Sequence, residues 1–241
     1  MNSYRESHIG TQRGEKYDAK AAVRADALIW DTFVKPWVRT ELERARDGGA
    51  TAYLDFACGT GRLLKVGQAI FGKSTGIDVS EDMLAVARTR VPDATLLRVD
   101  VTQSPSSDIG YFDCVTLFRF ILNAEPALRA DALRWLSQHT RHGAVLIVNN
   151  HGNAASYSGL LAKAAFWLPK NARNTLSRRQ VFQMLGEAGF SVVRCEGFRV
   201  LPSVFGRPVL GRWLQAWGER VCKRLGLDRF GAELVVVAVR E

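Results

Sequence analysis

The sequence is poor in cysteine and histidine, with four of each in 241 residues. Cys58, Cys114, Cys195 and Cys222 stand far apart with no Cys-x-x-Cys pair, which argues against a disulfide framework or a zinc site and fits reduced thiols. His139 and His142 lie three apart with no third ligand close in sequence, so no metal is expected. They read as polar groups at a helix C-terminus ahead of Gly143. No apolar run approaches the roughly 20 residues needed to cross a bilayer. Met1 to Gly14 is polar and lacks the apolar core of an export signal, so the expected compartment is the cytoplasm.

One glycine is also missing. Tyr53-Leu54-Asp55-Phe56-Ala57-Cys58-Gly59-Thr60-Gly61 is a short apolar run that stops at Gly-Thr-Gly, after which Leu63, Leu64, Val66 and Ile70 take up helical spacing. The pattern predicts strand, tight turn and helix, with Gly59 and Gly61 leaving bare backbone for a nucleoside-type ligand. A dinucleotide fingerprint needs a third glycine three residues on, where Leu64 stands. The acid at Asp55, four residues ahead of Gly59, suits a cationic ligand better than a pyrophosphate.

Three more strands are expected to close on the same sheet edge. Ser74 to Asp78 ends in an acid at about the distance where nucleotide-binding folds place a ribose-binding carboxylate. Ser80 then caps a helix carrying Glu81 and Asp82 in its first turn. Ala94 to Asp100 and Tyr111 to Phe118 are the third and fourth strands.

Through "LDFACGTG", "GIDVSEDML", "RVD" and "FDCVTLF", the stretch from about residue 15 to 150 resembles the class I S-adenosylmethionine-dependent methyltransferases. The resemblance implies S-adenosylmethionine as cofactor, held by Asp55, Ala57, Cys58, Gly59, Gly61, Asp78, Val79, Met83, Asp100, Val101 and Phe118. Asp78 would take the ribose hydroxyls and Asp100 the adenine amino group, with Val101 beside it and Met83 over one ring face. Tyr17 would fold onto the methionine part, a simple anchoring aromatic being the alternative. The implied fold is α/β, a doubly wound seven-stranded Rossmann-like sheet with an antiparallel last strand.

Around that core, residues 1–48 read as an N-terminal helical cap, its apolar stripe broken or kinked at Pro36, and 49–241 as the catalytic domain. Insertions are expected at about 151–176, as a lid, and about 203–230. Ser177 and Gln180 form a capping-box pattern, Phe190 to Leu201 a sixth strand and Ala232 to Val239 a buried last one. The net charge of +9 is concentrated in residues 170–229, with twelve Lys and Arg against four acids. A local excess of that sign points to an anionic acceptor, an anionic membrane face, nucleic acid, or only a solvated surface. The second insertion sets Leu210, Trp213, Leu214, Trp217, Val221 and Leu225 on one helix face, read as packed inward with a wet basic side or laid on a membrane.

The favoured function is methyl transfer to a small or lipid-like acceptor, most naturally at a hydroxyl. A nucleic-acid methyltransferase is disfavoured because Leu117-Phe118-Arg119-Phe120 stands where a base-amine methylating tetrad would be. A non-catalytic cofactor-binding module is the third reading. His151, directly after the fifth strand, is the candidate base, with Asn149, Asn150 or Asn153 orienting it or the substrate; Arg119 and Asn123 in the loop after the fourth strand are the other candidates.

Overall fold

The computed structural model describes residues 25–103, 109–164, 175–204, 207–208 and 211–241. Seven strands form one sheet: β1 (Tyr53–Phe56), β2 (Ser74–Asp78), β3 (Thr95–Arg98), β4 (Phe112–Leu117), β5 (Thr140–Asn150), β6 (Phe190–Phe198) and β7 (Glu233–Arg240). Their order is β3-β2-β1-β4-β5-β7-β6. β7 runs antiparallel to both neighbours and the other pairings are parallel. The strand order reverses between β1 and β4, the switch point beside which ligands sit in open α/β sheets.

Helices cover both faces because the inner strands are apolar on both. Leu54, Phe56, Val115, Leu117, Leu146 and Val148 pack under α5 (Pro126–Gln138) and α7 (Arg178–Glu187). Tyr53, Cys114, Ile147, Val235 and Val237 pack on the other side against α2 (Lys35–Asp47) and α3 (Arg62–Phe71). Adjacent strand residues divide between the two layers, as alternation requires. Tyr53 lies where a side chain of residue 67 would be: a Cβ on Gly67 would sit 2.0 Å from its ring. Glycine there lets α3 close on the start of β1, at the end of the strand away from the cofactor turn.

Several boundaries differ from the expectation: β3 ends at Arg98 rather than Asp100 and β6 at Phe198 rather than Leu201. The irregularity expected at Pro36 falls in the turn just ahead of it. After α1 (Ala25–Ile29), a π-helical turn at Trp30–Val34 precedes α2, and Pro36 takes a first-turn place in α2 where its missing N–H costs nothing. β5 begins at Thr140 rather than Ala144, so His142 and Gly143 are strand residues and only His139 caps α5, its Nδ1 2.8 Å from the Trp135 carbonyl oxygen.

β5 and β6 end, and β7 begins, at one edge, so both insertions rise from that edge. The first carries α6 (Tyr157–Ala164); the second carries α8 (Arg212–Arg224) and a 3-10 turn at Leu227–Phe230. Residues 165–174, ten of the 26 in the expected lid, lie outside the described residues, as do Tyr17 and Leu210.

Candidate active site

The turn after β1 is made of unusual backbone. Ala57, Gly59 and Gly61 all have positive φ (55°, 53° and 73°). A non-glycine residue in that region is strained, and such strain collects at functional sites. The two glycines have different reasons. A Cβ on Gly59 would meet nothing within 4 Å, so its face is open for a ligand. A Cβ on Gly61 would press on Ala87 and Val91 at 3.2 and 3.3 Å, beside α4 (Glu81–Arg90). Bare backbone was expected to meet the ligand at both; at Gly61 it meets the neighbouring helix instead.

Asp78 ties two turns together. Its Oδ2 accepts the Gly59 amide at 2.8 Å and its Oδ1 the Ser80 amide at 2.9 Å. The carboxylate therefore stands at the mouth between the first two strands, with about four acceptor positions to distribute. Asp100 is held similarly, its Oδ1 accepting the Thr102 amide at 3.1 Å and hydroxyl at 2.6 Å. Between these acids lies a cleft with about 510 Å³ of open space, lined by Ala57, Asp78, Val79, Asp100 and Val101 together with Phe56, Ile77, Val99, Thr102, Phe120 and Leu128.

Five residues expected at the cofactor thus share one cleft, and the other expected residues among those described do not line it. Asp55 lies beneath the turn, 2% exposed; its Oδ1 accepts the Thr116 hydroxyl at 2.7 Å, and that hydroxyl lies 2.7 Å from the Tyr53 hydroxyl. Oδ2 has no hydrogen-bond partner. Burial pushes the carboxyl up to about 7, against the lowering effects of Thr116 and the Leu64 amide. A charge so poorly solvated does not present itself to a cationic ligand; Asp55 works from below, by fastening the turn to β4. Cys58 is buried with its sulfur toward Gly76, and burial pushes its thiol far above the usual range, which fits a space-filling role. Met83 is buried in the first turn of α4 and does not reach the cleft lining. Phe118 packs edge-on against Trp30 at 6.1 Å, and Arg62 stacks over Trp30 at 5.4 Å. The N-terminal helices therefore reach the cofactor side of the sheet.

At the next strand ends the polar residues hold backbone. Arg119 has φ 58°; its amide donates to Asn149 Oδ1 at 2.6 Å, and its carbonyl accepts Asn123 Nδ2 at 2.6 Å. Asn149 Nδ2 donates in turn to Glu233 Oε1 at 2.6 Å. Asn150 donates to the Leu176 carbonyl and Asn153 to those of Arg229 and Gly231. All three asparagines are fully buried. They brace the insertions: Asn150 and Asn153 spend their amide N–H groups on carbonyls of Leu176, Arg229 and Gly231, and Asn149 joins the Arg119 amide to the Glu233 carboxylate, so the expectation that one of them orients His151 or the substrate fails. His151 itself sits in the bend directly after β5, half-buried, at the ligand edge.

Thr102, Phe120 and Leu128 were missed in sequence. Thr102 carried a signal, since Asp-x-Thr is a local turn pattern; Phe120 is placed by its edge-on packing against Phe56 after β4, and Leu128 reaches the cleft from α5. Among the described residues, no cluster of three or more metal-ligating side chains occurs.

Residues 54–143 match the family described as "Methyltransferase domain". A dTDP-3-amino-3,4,6-trideoxy-alpha-D-glucopyranose N,N-dimethyltransferase of Streptomyces venezuelae is 40% identical over 89 residues, which are 37% of this chain and 31% of that protein. The chain therefore matches only about a third of that relative's length. The crystal structure of magnesium protoporphyrin IX methyltransferase from Synechocystis PCC 6803 with bound SAH aligns with a TM-score of 0.60 at 18% identity, covering 96% of this chain and 90% of that one. The plantazolicin methyltransferase BamL, in complex with an analogue and SAH, gives 0.61 at 14% identity, covering 93% and 91%. At such identities the likeness is one of fold.

Proposed function

We propose that this chain, whose residues 54–143 match a methyltransferase domain, is a class I S-adenosylmethionine-dependent enzyme that transfers a methyl group to a small-molecule or lipid-like acceptor. One observation carries the reading: Asp78, Asp100 and the strained Ala57 converge on a cleft otherwise lined by apolar side chains. An apolar slot with a carboxylate at either end suits a flat base joined to a ribose. Asp78 takes the ribose hydroxyls, Asp100 the adenine amino group, and Val79, Val99 and Phe120 enclose the ring. S-adenosylmethionine supplies a methyl already made electrophilic by its sulfonium. The chain's work is then to align an acceptor and remove its proton.

For that proton the candidate is His151, at the ligand edge beside the cleft strands. Arg119 and Asn123, on the loop after β4, border the acceptor space, and residues 1–48 serve as a cap, supported by the contact of Trp30 with Phe118. The acceptor atom is a hydroxyl oxygen in the first reading. An amine nitrogen is the second, because the Streptomyces venezuelae relative is named as an amino-sugar N,N-dimethyltransferase. Either atom must shed a proton to attack or after attack, and one imidazole serves both.

Titration calorimetry with S-adenosylhomocysteine tests the cofactor site. Asp78→Ala should weaken binding at least about tenfold, the scale of a charge-assisted hydrogen bond. Equal affinity in the variant, or preference for NAD, ends the assignment. A tritiated-methyl screen over fractionated cell extract identifies the acceptor; with it, His151→Ala should keep cofactor affinity and lose about two to four orders of magnitude in turnover, with the acidic limb of the pH profile removed. Normal turnover would leave His151 structural, and cofactor binding without any transfer would favour a binding module.

A further inference from the structure

The amphipathic helix of the second insertion is mounted the opposite way round from ordinary packing. In α8 the residues facing the protein are Gln215, Ala216 and Glu219, all buried. Glu219 accepts the backbone amides of Val200 and Leu201, each at 3.0 Å, and Gln215 lies 3.4 Å from the same carboxylate. Burial raises the Glu219 carboxyl, against the pull of those amides. Helical geometry puts Trp213, Leu214, Trp217 and Leu225 on the side away from Gln215 and Glu219. They are 75%, 47%, 54% and 68% exposed. The reading of a packed helix with a wet basic side is thus overturned, because its polar side is the one fastened to the fold.

We propose that α8 is a peripheral docking helix for an anionic lipid bilayer. Charge complementarity selects that occupant. Beside the exposed tryptophans and leucines stand the exposed Arg220 and Arg224, with Arg212 exposed at the first position of the helix, while the single acid of the helix, Glu219, is buried under it. Lys223 is taken up by Glu196 and Arg220 also stacks over Phe33 at 5.7 Å, so Arg212 and Arg224 contribute most to the outward charge. Tryptophan carries an apolar ring and one N–H, which suits the level of lipid headgroups, and arginine beside it meets phosphate. A second copy of this chain would bring like-charged arginines together. An RNA strand would find no use for Leu214 and Leu225.

The location serves an enzyme as well as an anchor. α8 and the exposed Tyr157, Leu160 and Leu161 of α6 both rise from the edge at which the cofactor cleft opens. A protein seated on lipid by this edge would face an acceptor held in the bilayer.

The test is co-sedimentation of the full chain with vesicles of phosphatidylcholine, with and without phosphatidylglycerol. Partition into the anionic vesicles is expected, falling steeply with salt. Trp213→Ser with Trp217→Ser should lower it at least about tenfold, and Arg212→Glu with Arg224→Glu should abolish the preference for anionic lipid. All four side chains are exposed, and unchanged thermal melting and S-adenosylhomocysteine affinity verify that the variants fold. No association with anionic vesicles at low salt overturns the proposal. So does undiminished association by the tryptophan variant, or light scattering that shows a dimer broken by the same substitutions.

Discussion

At the scale of single residues, the acid that opens the cofactor turn behaves unlike the two that line the cleft. Asp78 and Asp100 hold backbone amides at the surface of the pocket, whereas Asp55 is enclosed with one oxygen unpartnered. Its carboxyl is lifted from the ordinary 3.8 to about 7, first by burial, with Thr116 and Leu64 opposing. The folded chain therefore binds this proton more tightly than the unfolded one. The corresponding stability is present below about pH 4 and is lost as pH rises toward 7, an effect on the order of a few kcal/mol. Asp55→Asn keeps an acceptor for Thr116 and removes the titration. Its urea midpoint should stay nearly level from about pH 4 to 7 where the parent declines, and parallel profiles would show that burial has not displaced the acid.

Among elements, the opposite sign appears where β4 starts. Asp113 accepts the amides of Thr51 and Ala52 and the Thr51 hydroxyl, and it pairs with Arg141. Burial works to raise this carboxyl, yet the two amides, Arg141 and the Thr51 hydroxyl together bring it down to about 2. The group is mostly covered, so its depressed proton affinity translates into about 2 kcal/mol at neutral pH. That contribution is complete above about pH 4 and disappears as pH falls through about 2. Asp113→Asn should lower the neutral-pH urea midpoint by a corresponding amount and converge with the parent in acid, while S-adenosylhomocysteine affinity, measured at the far end of the sheet, stays unchanged. Equal stability at pH 7 would mean the clamp between β4 and the lead into β1 carries no weight.

For the whole molecule, the parts legible in sequence are those governed by local rules. The strand ending at Asp78 and the glycine turn after β1 could be read because a strand must stop where a ligand or turn takes its backbone, whereas β3 stops at Arg98, two residues short of Asp100; the Ser177–Gln180 capping box is present as read. The roles of Asn149, Asn150 and Asn153 could not, since their partners Arg119, Glu233, Leu176, Arg229 and Gly231 come from distant segments. Hydrophobic periodicity found the helix at 212–224 but left its orientation open between inward packing and a membrane, because it cannot foresee two backbone amides at Val200 and Leu201 fixing a carboxylate on the opposite side. That attachment has a consequence for how such a chain changes over generations. The outward residues of the helix lie outside the packed core, so a lineage can rewrite Trp213, Leu214, Trp217 and Leu225 with less effect on folding and on the cofactor cleft than a change in Gln215 or Glu219. Where the protein works in a cell can then be inherited, altered or erased as a trait separate from what it catalyses.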